Sequence, residues 1–367
     1  MNKYKICVYA ICKNEEQFVD RWMDSMAEAD EIIVTDTGST DETVNKLRAR
    51  GAVVYCEEIK PWRFDVARNR SLANVPGDTD IAVCTDLDEV LRPGWRALIE
   101  EHWQPGKTMG NYLYNWSLNP DNTPNTQFIY FKIHVPGCYQ WRCPAHEYLQ
   151  FIPNEDYRSD RKVFIPGLIL DHYPDAKKSR SSYLGLLEMG AREDVEDTRM
   201  AYYLGREYMY AGQWHDCIAA MTRYLAMPNA TWGEERCAAM RWIAKSYRQL
   251  GDNAEAYRWY YRAIAEEPKM RDAYVECAKE AYSLGDWVTV YFMVSEALKI
   301  TQKTPTFVNQ GYAWDHTPDD LAAIALWQLG NYELALKHAT RALEITPGDD
   351  RLKKNRWLIE RSLSQKG

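Results

Sequence analysis

Short apolar runs separated by amphipathic stretches fill the first part of the chain. Ile6–Ile11, Glu31–Thr35, Ala52–Cys56 and Ile81–Thr85 read as strands, and Glu15–Ala27, Asp41–Arg50 and Phe64–Ala73 read as helices. Strands that alternate with helices imply βαβ units and a mainly parallel sheet covered on both faces. In such sheets ligands collect at the carboxyl ends of the strands. Here those ends carry Cys12-Lys13-Asn14-Glu15, Asp36-Thr-Gly38-Ser39-Thr40-Asp41 and Asp86-Leu-Asp88, so three polar loops should converge on one crevice. After about residue 108 the pattern changes to aromatic-rich strands, Tyr112–Leu118 and Phe128–Val135, without intervening helices. Short antiparallel pieces are expected to extend the sheet and wall off the crevice. The segment Asp171-His-Tyr-Pro-Asp175 closes this half, and Lys177–Ser182 reads as an exposed linker.

From about residue 183 the chain is helical throughout and repeats itself. The stretches beginning at Leu204, Ala244, Ala278 and Ala323 each run into a turn glycine, at Gly212, Gly251, Gly285 and Gly330, and a second helix follows. Pro228, Pro268 and Pro347 end three of these, and Ala263, Ala297 and Ala342 supply small residues where paired helices approach. This resembles the tetratricopeptide repeat, whose period is about 34 residues. The predicted organisation is an α/β domain over 1–176, a linker and first helix over 177–198, and an all-α repeat solenoid over 199–367.

Composition narrows the function. At 367 residues the chain is long for one domain. A net charge of −8 argues against a broad nucleic-acid footprint, which needs clustered Lys and Arg. The first residues lead straight into a strand without a signal-peptide core, and nowhere do 18 apolar residues run together, so a soluble, cytoplasmic protein with no membrane span is expected. Nine cysteines scattered among apolar neighbours suit reduced core thiols better than a disulfide framework. Cys138 and Cys143 are close in sequence, but no second pair accompanies them as a zinc site requires. The 14 Trp and 25 Tyr fit helical-repeat packing and a sugar-binding cleft equally well.

The most informative chemistry is Asp86-Leu-Asp88 at the end of an apolar strand. A strand alternates its faces, so carboxylates two residues apart leave it in the same direction. Oxygen ligands suit Mg²⁺ or Mn²⁺, which keep open positions for phosphate oxygens. In the Asp36–Asp41 loop, Gly38 permits a tight backbone, and Ser39, Thr40 or Asp41 caps the following helix. Asp36 is placed to accept hydrogen bonds from a nucleobase or ribose.

Taken together, Ile11-Cys-Lys-Asn-Glu-Glu16, Asp30 to Thr43, Trp62-Arg-Phe-Asp-Val-Ala-Arg-Asn69 and Asp86-Leu-Asp88-Glu resemble a family 2 glycosyltransferase of the GT-A fold, over residues 1 to about 175. The attached repeats are similar to those of bacterial and phage family 2 enzymes with tetratricopeptide tails, some of which glycosylate cysteine in glycocin-type bacteriocins. Gly311-Tyr-Ala-Trp314-Asp-His-Thr-Pro-Asp-Asp-Leu321 also resembles a segment of such fused proteins. The resemblance implies that Ala10, Ile11, Cys12, Lys13, Glu15, Asp36 and Ser39 hold the uridine side of a UDP-sugar donor. Arg68 should lie near the diphosphate or support the acidic pair. Asp86 and Asp88 should contact ribose and metal, with Asp88 the firmer metal ligand and His172 matching a late metal-binding histidine. Family 2 members invert the anomeric centre and use one general base. Glu147, in Pro144-Ala-His146-Glu147, lies where that base is carried, but Tyr148 follows it instead of the usual Asp, so His146 is the alternative. Glu89 and Asp171 are supporting groups. Trp62, Trp116 and Trp141 either stack on sugar or pack in the core.

The expected activity is therefore transfer of a hexose, glucose or N-acetylglucosamine ahead of galactose, with Mn²⁺ or Mg²⁺, to a glycan, peptide, protein or modified nucleobase. The repeats would bind the acceptor, another protein or a second copy. A repeat scaffold with an inactive transferase domain and a sugar nucleotidyltransferase are the alternatives.

Overall fold

The computed structural model describes residues 3–175 and 183–365 and separates into two compact units, 1–194 and 195–367. The linker expected at Lys177–Ser182 lies outside the described residues.

In the first unit, β1 (Ile6–Cys12) is apolar and buried along its whole length, the pattern of a parallel strand covered on both sides. After it come α1 (Val19–Met26), β2 (Glu31–Asp36), α2 (Thr43–Ala49), β3 (Val53–Cys56), α3 (Phe64–Ala73) and β4 (Ile81–Cys84). The four strands are parallel in the order β3-β2-β1-β4. Because β2 and β4 flank β1 on opposite sides, the winding reverses there, and a crevice opens at the carboxyl ends of β1 and β4. Side chains alternate between two layers. Ile6, Val8 and Ala10 pack with Trp22, Met26 and Leu47, while Cys7 and Tyr9 pack with Cys84, Trp141 and Leu149.

The chain continues through β5 (Glu89–Leu91), α4 (Trp95–His102), β6 (Met109–Leu118), β7 (Pro124–His134), β8 (Tyr139–Arg142), β9 (Tyr148–Phe151) and β10 (Lys162–His172). The sheet extends as β4-β7-β6-β10-β5, and β8 and β9 form a separate antiparallel ribbon. Two expectations need correction. The added strands are not short, since β6, β7 and β10 span 10, 11 and 11 residues. Nor are they all antiparallel, because β10 runs parallel to β6. The helix expected from Glu15 begins only at Val19: Asn14 has φ 54°, and the amides of Glu15 and Glu16 donate to Thr43 and Asp41 of the neighbouring loop.

The first unit ends with α5 (Tyr183–Glu193). The second consists of helix pairs: α6 (Thr198–Tyr210) with α7 (Trp214–Ala226), α8 (Gly233–Gln249) with α9 (Asn253–Glu266), α10 (Arg271–Ser283) with α11 (Trp287–Lys299), and α12 (Thr317–Gln328) with α13 (Tyr332–Ile345). The terminal helix is α14 (Asp350–Ser364). Gly212, Gly251, Gly285 and Gly330 turn each pair at φ of 72–83°, a conformation that strains any residue with a Cβ. Asp252, Asp286 and Asn331 then cap the second helices by accepting the amides of Glu255, Thr289 and Leu334. Ala263, Ala297 and Ala342 are fully buried, as close helix pairing requires.

Candidate active site

The crevice is framed first by two loops that hold each other. The amide of Asn14 donates to Ser39 Oγ (2.8 Å), the amide of Thr40 donates back to Asn14 Oδ1 (2.7 Å), and the amide of Glu42 donates to Glu16 Oε2 (3.0 Å). Asp36, in register with Cys12, accepts the amides of Gly38 (3.1 Å) and Ser39 (3.0 Å) and a weak bond from Cys12 Sγ. Its carboxylate therefore shapes its own loop. Ala10, Ile11, Cys12 and Glu15 are buried at the strand end, with Lys13 exposed beyond them, and the Ala10 carbonyl accepts Ser71 Oγ (2.8 Å).

At the centre lies Arg68, carried on α3 and only 4% exposed. A guanidinium so deep needs carboxylate partners, and it has two. Nη2 donates to Asp86 Oδ1 (2.8 Å) and Nε to Glu147 Oε1. Its carbon lies 5.0 Å from the ring of Trp141, which is itself core, with Nε1 donating to the Tyr9 hydroxyl. Lys132, on β7 and also buried, reaches Asp86 Oδ2 at 3.2 Å and the two oxygens of Glu89 at 3.3 and 3.4 Å. Glu89 accepts in addition from the Tyr114 hydroxyl (2.8 Å) and the Asp86 amide (2.9 Å). Burial opposes the charge on Asp86, but Arg68 and Lys132 overcome it and hold the carboxyl far below the usual range. For Glu89, burial and then the nearby Asp86 and Asp88 outweigh Lys132 and push the carboxyl up.

Asp88 and His172 form the other half. Strand β5 pairs with β10 so that Glu89 lies opposite His172, which places the histidine beside the turn carrying Asp88. His172 Nε2 is 3.6 Å from Asp88 Oδ2. Nδ1 is 3.0 Å from the Trp116 carbonyl, which only accepts, so we assign a proton to Nδ1; Nε2 directs a second proton at Asp88 when the ring is charged and has a lone pair for a cation when it is neutral. The indole of Trp116, 49% exposed, stacks on this imidazole at 4.7 Å. Burial lowers the basicity of His172, but the bond to Asp88 and the Trp116 carbonyl reverse it, so its pKa is raised. Asp171 points elsewhere: it takes Arg92 at 2.8 and 3.1 Å and Asn115 at 2.6 Å, anchoring the end of β10.

Glu147 reaches the centre through Arg68, while His146 lies in the left-handed region (φ 52°) with its ring 5.8 Å from Tyr183. Cys143 shares that conformation (φ 78°). Backbone held in a sparsely populated region beside a candidate base marks a segment fixed by its surroundings. Trp62 packs edge-on against Phe64 at 5.1 Å.

The donor set can be tested for a divalent cation by charge and chemistry. Four carboxylates (Asp86, Asp88, Glu89, Glu147) face two cations (Arg68, Lys132), which leaves two negative charges in excess. Asp88 and His172 offer an oxygen and an imidazole nitrogen with no lysine or arginine between them. That pair fits Mn²⁺ or Mg²⁺ completing its coordination with phosphate oxygens. Among the described residues no group of three or more His, Cys, Asp or Glu side chains is placed to hold a metal ion, so the protein would offer a cation at most this pair.

Sequence reasoning missed Lys132. Its signal was available: one lysine inside Phe128-Ile-Tyr-Phe-Lys-Ile-His134 must find a carboxylate if the strand is buried.

Comparison with known proteins places these observations. Residues 7–150 match the family model "Glycosyl transferase family 2", and residues 321–349 match "Tetratricopeptide repeat". Over 88 residues the chain is 38% identical to uncharacterized glycosyltransferases of Rickettsia typhi and Rickettsia bellii, covering 24% of this chain and 29% of each relative. The match thus spans under a third of those relatives. Solved structures similar to part of the chain include MamA (19% identity, 45% of this chain and 81% of that one, TM-score 0.36). Another is the C-terminal part of a repeat-containing protein of Cytophaga hutchinsonii (13%, 51% and 67%, TM-score 0.42).

Proposed function

We infer that this chain, a family 2 glycosyltransferase by its N-terminal unit and a tetratricopeptide-repeat protein by its C-terminal one, moves a hexose from a UDP-sugar to an acceptor. The transfer inverts the anomeric centre and requires Mn²⁺ or Mg²⁺. Glucose and N-acetylglucosamine are the proposed sugars, and a glycan, peptide, protein or modified nucleobase the proposed acceptor. The observation that carries this reading is the opposition of the Asp88–His172 pair to the Arg68–Asp86–Lys132 cluster across the end of β4.

When bound, the cation supplies Lewis-acid neutralisation of the diphosphate charge that builds as UDP departs. Asp88 and His172 would hold it. Arg68 and Lys132 keep Asp86 ionised and fixed in place, ready to accept from the ribose hydroxyls. The paired loops at Asn14 and Ser39 form the wall on the uridine side, with Asp36 holding the second loop in shape. Glu147 is the proposed base. Its Oε1 is tied to Arg68, so Oε2 would take the acceptor proton, and His146 is the substitute if Glu147 only anchors Arg68. The exposed face of Trp116 next to His172 suits stacking on a sugar ring.

Contact through the repeats with the acceptor, another protein or a second copy is part of the proposal. A cytoplasmic location is supported by nine cysteines that are all free thiols. Among the described residues no helix is long and apolar enough to cross a membrane.

The test is product analysis after incubation with UDP-glucose or UDP-N-acetylglucosamine and Mn²⁺. Release of UDP, by slow hydrolysis or by transfer to an added acceptor, is expected. In a parallel incubation with UTP and a sugar 1-phosphate, formation of a UDP-sugar with release of pyrophosphate would mark a nucleotidyltransferase, and failure to bind either UDP-sugar donor would mark a scaffold with an inactive domain.

A further inference from the structure

The connections from α7 to α8 and from α9 to α10 are short, whereas residues 300–316 separate α11 from α12 with only a 3-10 turn, Gly311–Ala313, inside them. Long connections in compact repeats call for a role. The first helices of the pairs touch one another in succession, α6 with α8, α8 with α10 and α10 with α12, and so form a common face. The inserted segment lies along that face. Phe307 stacks on Tyr203 of α6 at 6.1 Å and meets Trp232 edge-on at 5.4 Å. Arg241 of α8 donates to the Val308 carbonyl (3.3 Å), and Asp272 of α10 accepts the Gln310 amide. The Tyr312 hydroxyl donates to Glu276, with Lys279 4.1 Å from its ring, and Arg271 lies 4.9 Å from the ring of Trp314.

Two features distinguish this from ordinary loop packing. First, Arg241 and Asp272 bond main-chain atoms two residues apart, the grip used on an extended peptide whatever its side chains. Second, the polar fit is incomplete: Arg241 Nε, Asp272 Oδ2, Glu276 Oε2, Asn309 Oδ1 and Trp314 Nε1 are buried without a hydrogen-bond partner. A buried polar atom left unmet favours any occupant that meets it.

We propose that residues 304–314 are a displaceable internal occupant of this face, and that its partner is an extended peptide of another protein. That peptide would present an aromatic residue and, five positions later, a tyrosine, with its backbone gripped by Arg241 and Asp272. The proposal is independent of the transferase reading. The repeats would expose their recognition face only when such a peptide replaces the resident segment.

The probe is a fluorescent synthetic peptide of residues 302–314, titrated against the full chain and against the full-length Phe307→Ala/Tyr312→Ala variant. Binding at least tenfold tighter to the variant, with helical circular dichroism retained, is expected. Equal absence of binding by a helical variant would overturn the proposal. So would a dimer in light scattering that exchanges the segment between two copies. Should the variant unfold, hydrogen exchange of the unmodified chain decides. Amides of 304–314 exchanging faster than those of α8 and α10 support displacement, and exchange only together with those helices contradicts it.

Discussion

Arg68 joins Glu147 to Asp86: its Nε donates to the first carboxylate and its Nη2, at 2.8 Å, to the second. The proposed base and the proposed ribose ligand therefore share one buried cation, although they stand far apart in the chain.

Removing that cation should be severe. Arg68→Ala leaves two carboxylates in the first unit facing each other and Glu89 with only Lys132 between them. Breaking a buried pair in this way costs about 3–5 kcal/mol. Chemical denaturation should show a loss of this order, with partial recovery in Arg68→Lys. Wild-type stability of Arg68→Ala would mean that the guanidinium is an ornament of the site.

Glu147→Gln keeps the size and one acceptor for Arg68 but cannot take a proton. Transfer should fall by roughly 10²–10⁴-fold while the dissociation constant for UDP stays within a few-fold. Full activity would move the base to His146, and His146→Gln would then show the loss.

The first unit should weaken in mild acid through His134. This residue is fully buried, accepts from the Tyr9 hydroxyl at Nε2 (2.8 Å) and has Nδ1 3.2 Å from the Val135 carbonyl, and burial lowers its pKa from 6.5 to about 4. The unfolded chain takes up a proton below about pH 6.5 that the folded chain refuses until about pH 4. Stability is thus lost as pH falls across that interval, by roughly 3 kcal/mol, and is regained on return to neutral pH. Denaturation midpoints between pH 7 and 4 should show this slope, and His134→Gln should flatten it.

How much of this was written in the sequence differs by element. Strands β1 to β4 were legible because their apolar runs are bounded by charged or glycine-containing loops, and α3 coincides with its expected limits. The repeats were legible from the recurring turn glycines, whose positive φ leaves no other comfortable residue. The start of α1 was not, because Glu15 and Glu16 are helix-compatible and only a loop from elsewhere takes their amides. Strand β10 contains Pro166 and Gly167 and shifts register between Phe164 and Ile169, so no clean alternation announces it. The partners of Lys132 depend on β7 lying beside β4, which is a matter of strand order that local pattern does not contain. For Asp36 the chain disclosed the residue and its loop, but not that two of its hydrogen bonds return to that loop's own amides.

The most direct test of the central claim is thermal unfolding of the wild-type chain and of Asp88→Ala with UDP, with and without Mn²⁺. For the wild type, UDP and Mn²⁺ together at about a hundred times the dissociation constant should raise the melting temperature of the first unit by roughly 5–10 °C. UDP alone should do much less, and Asp88→Ala should fold normally yet lose the increment due to Mn²⁺. An unchanged melting temperature of the wild type with both ligands, or an equal increment in Asp88→Ala, would contradict the account.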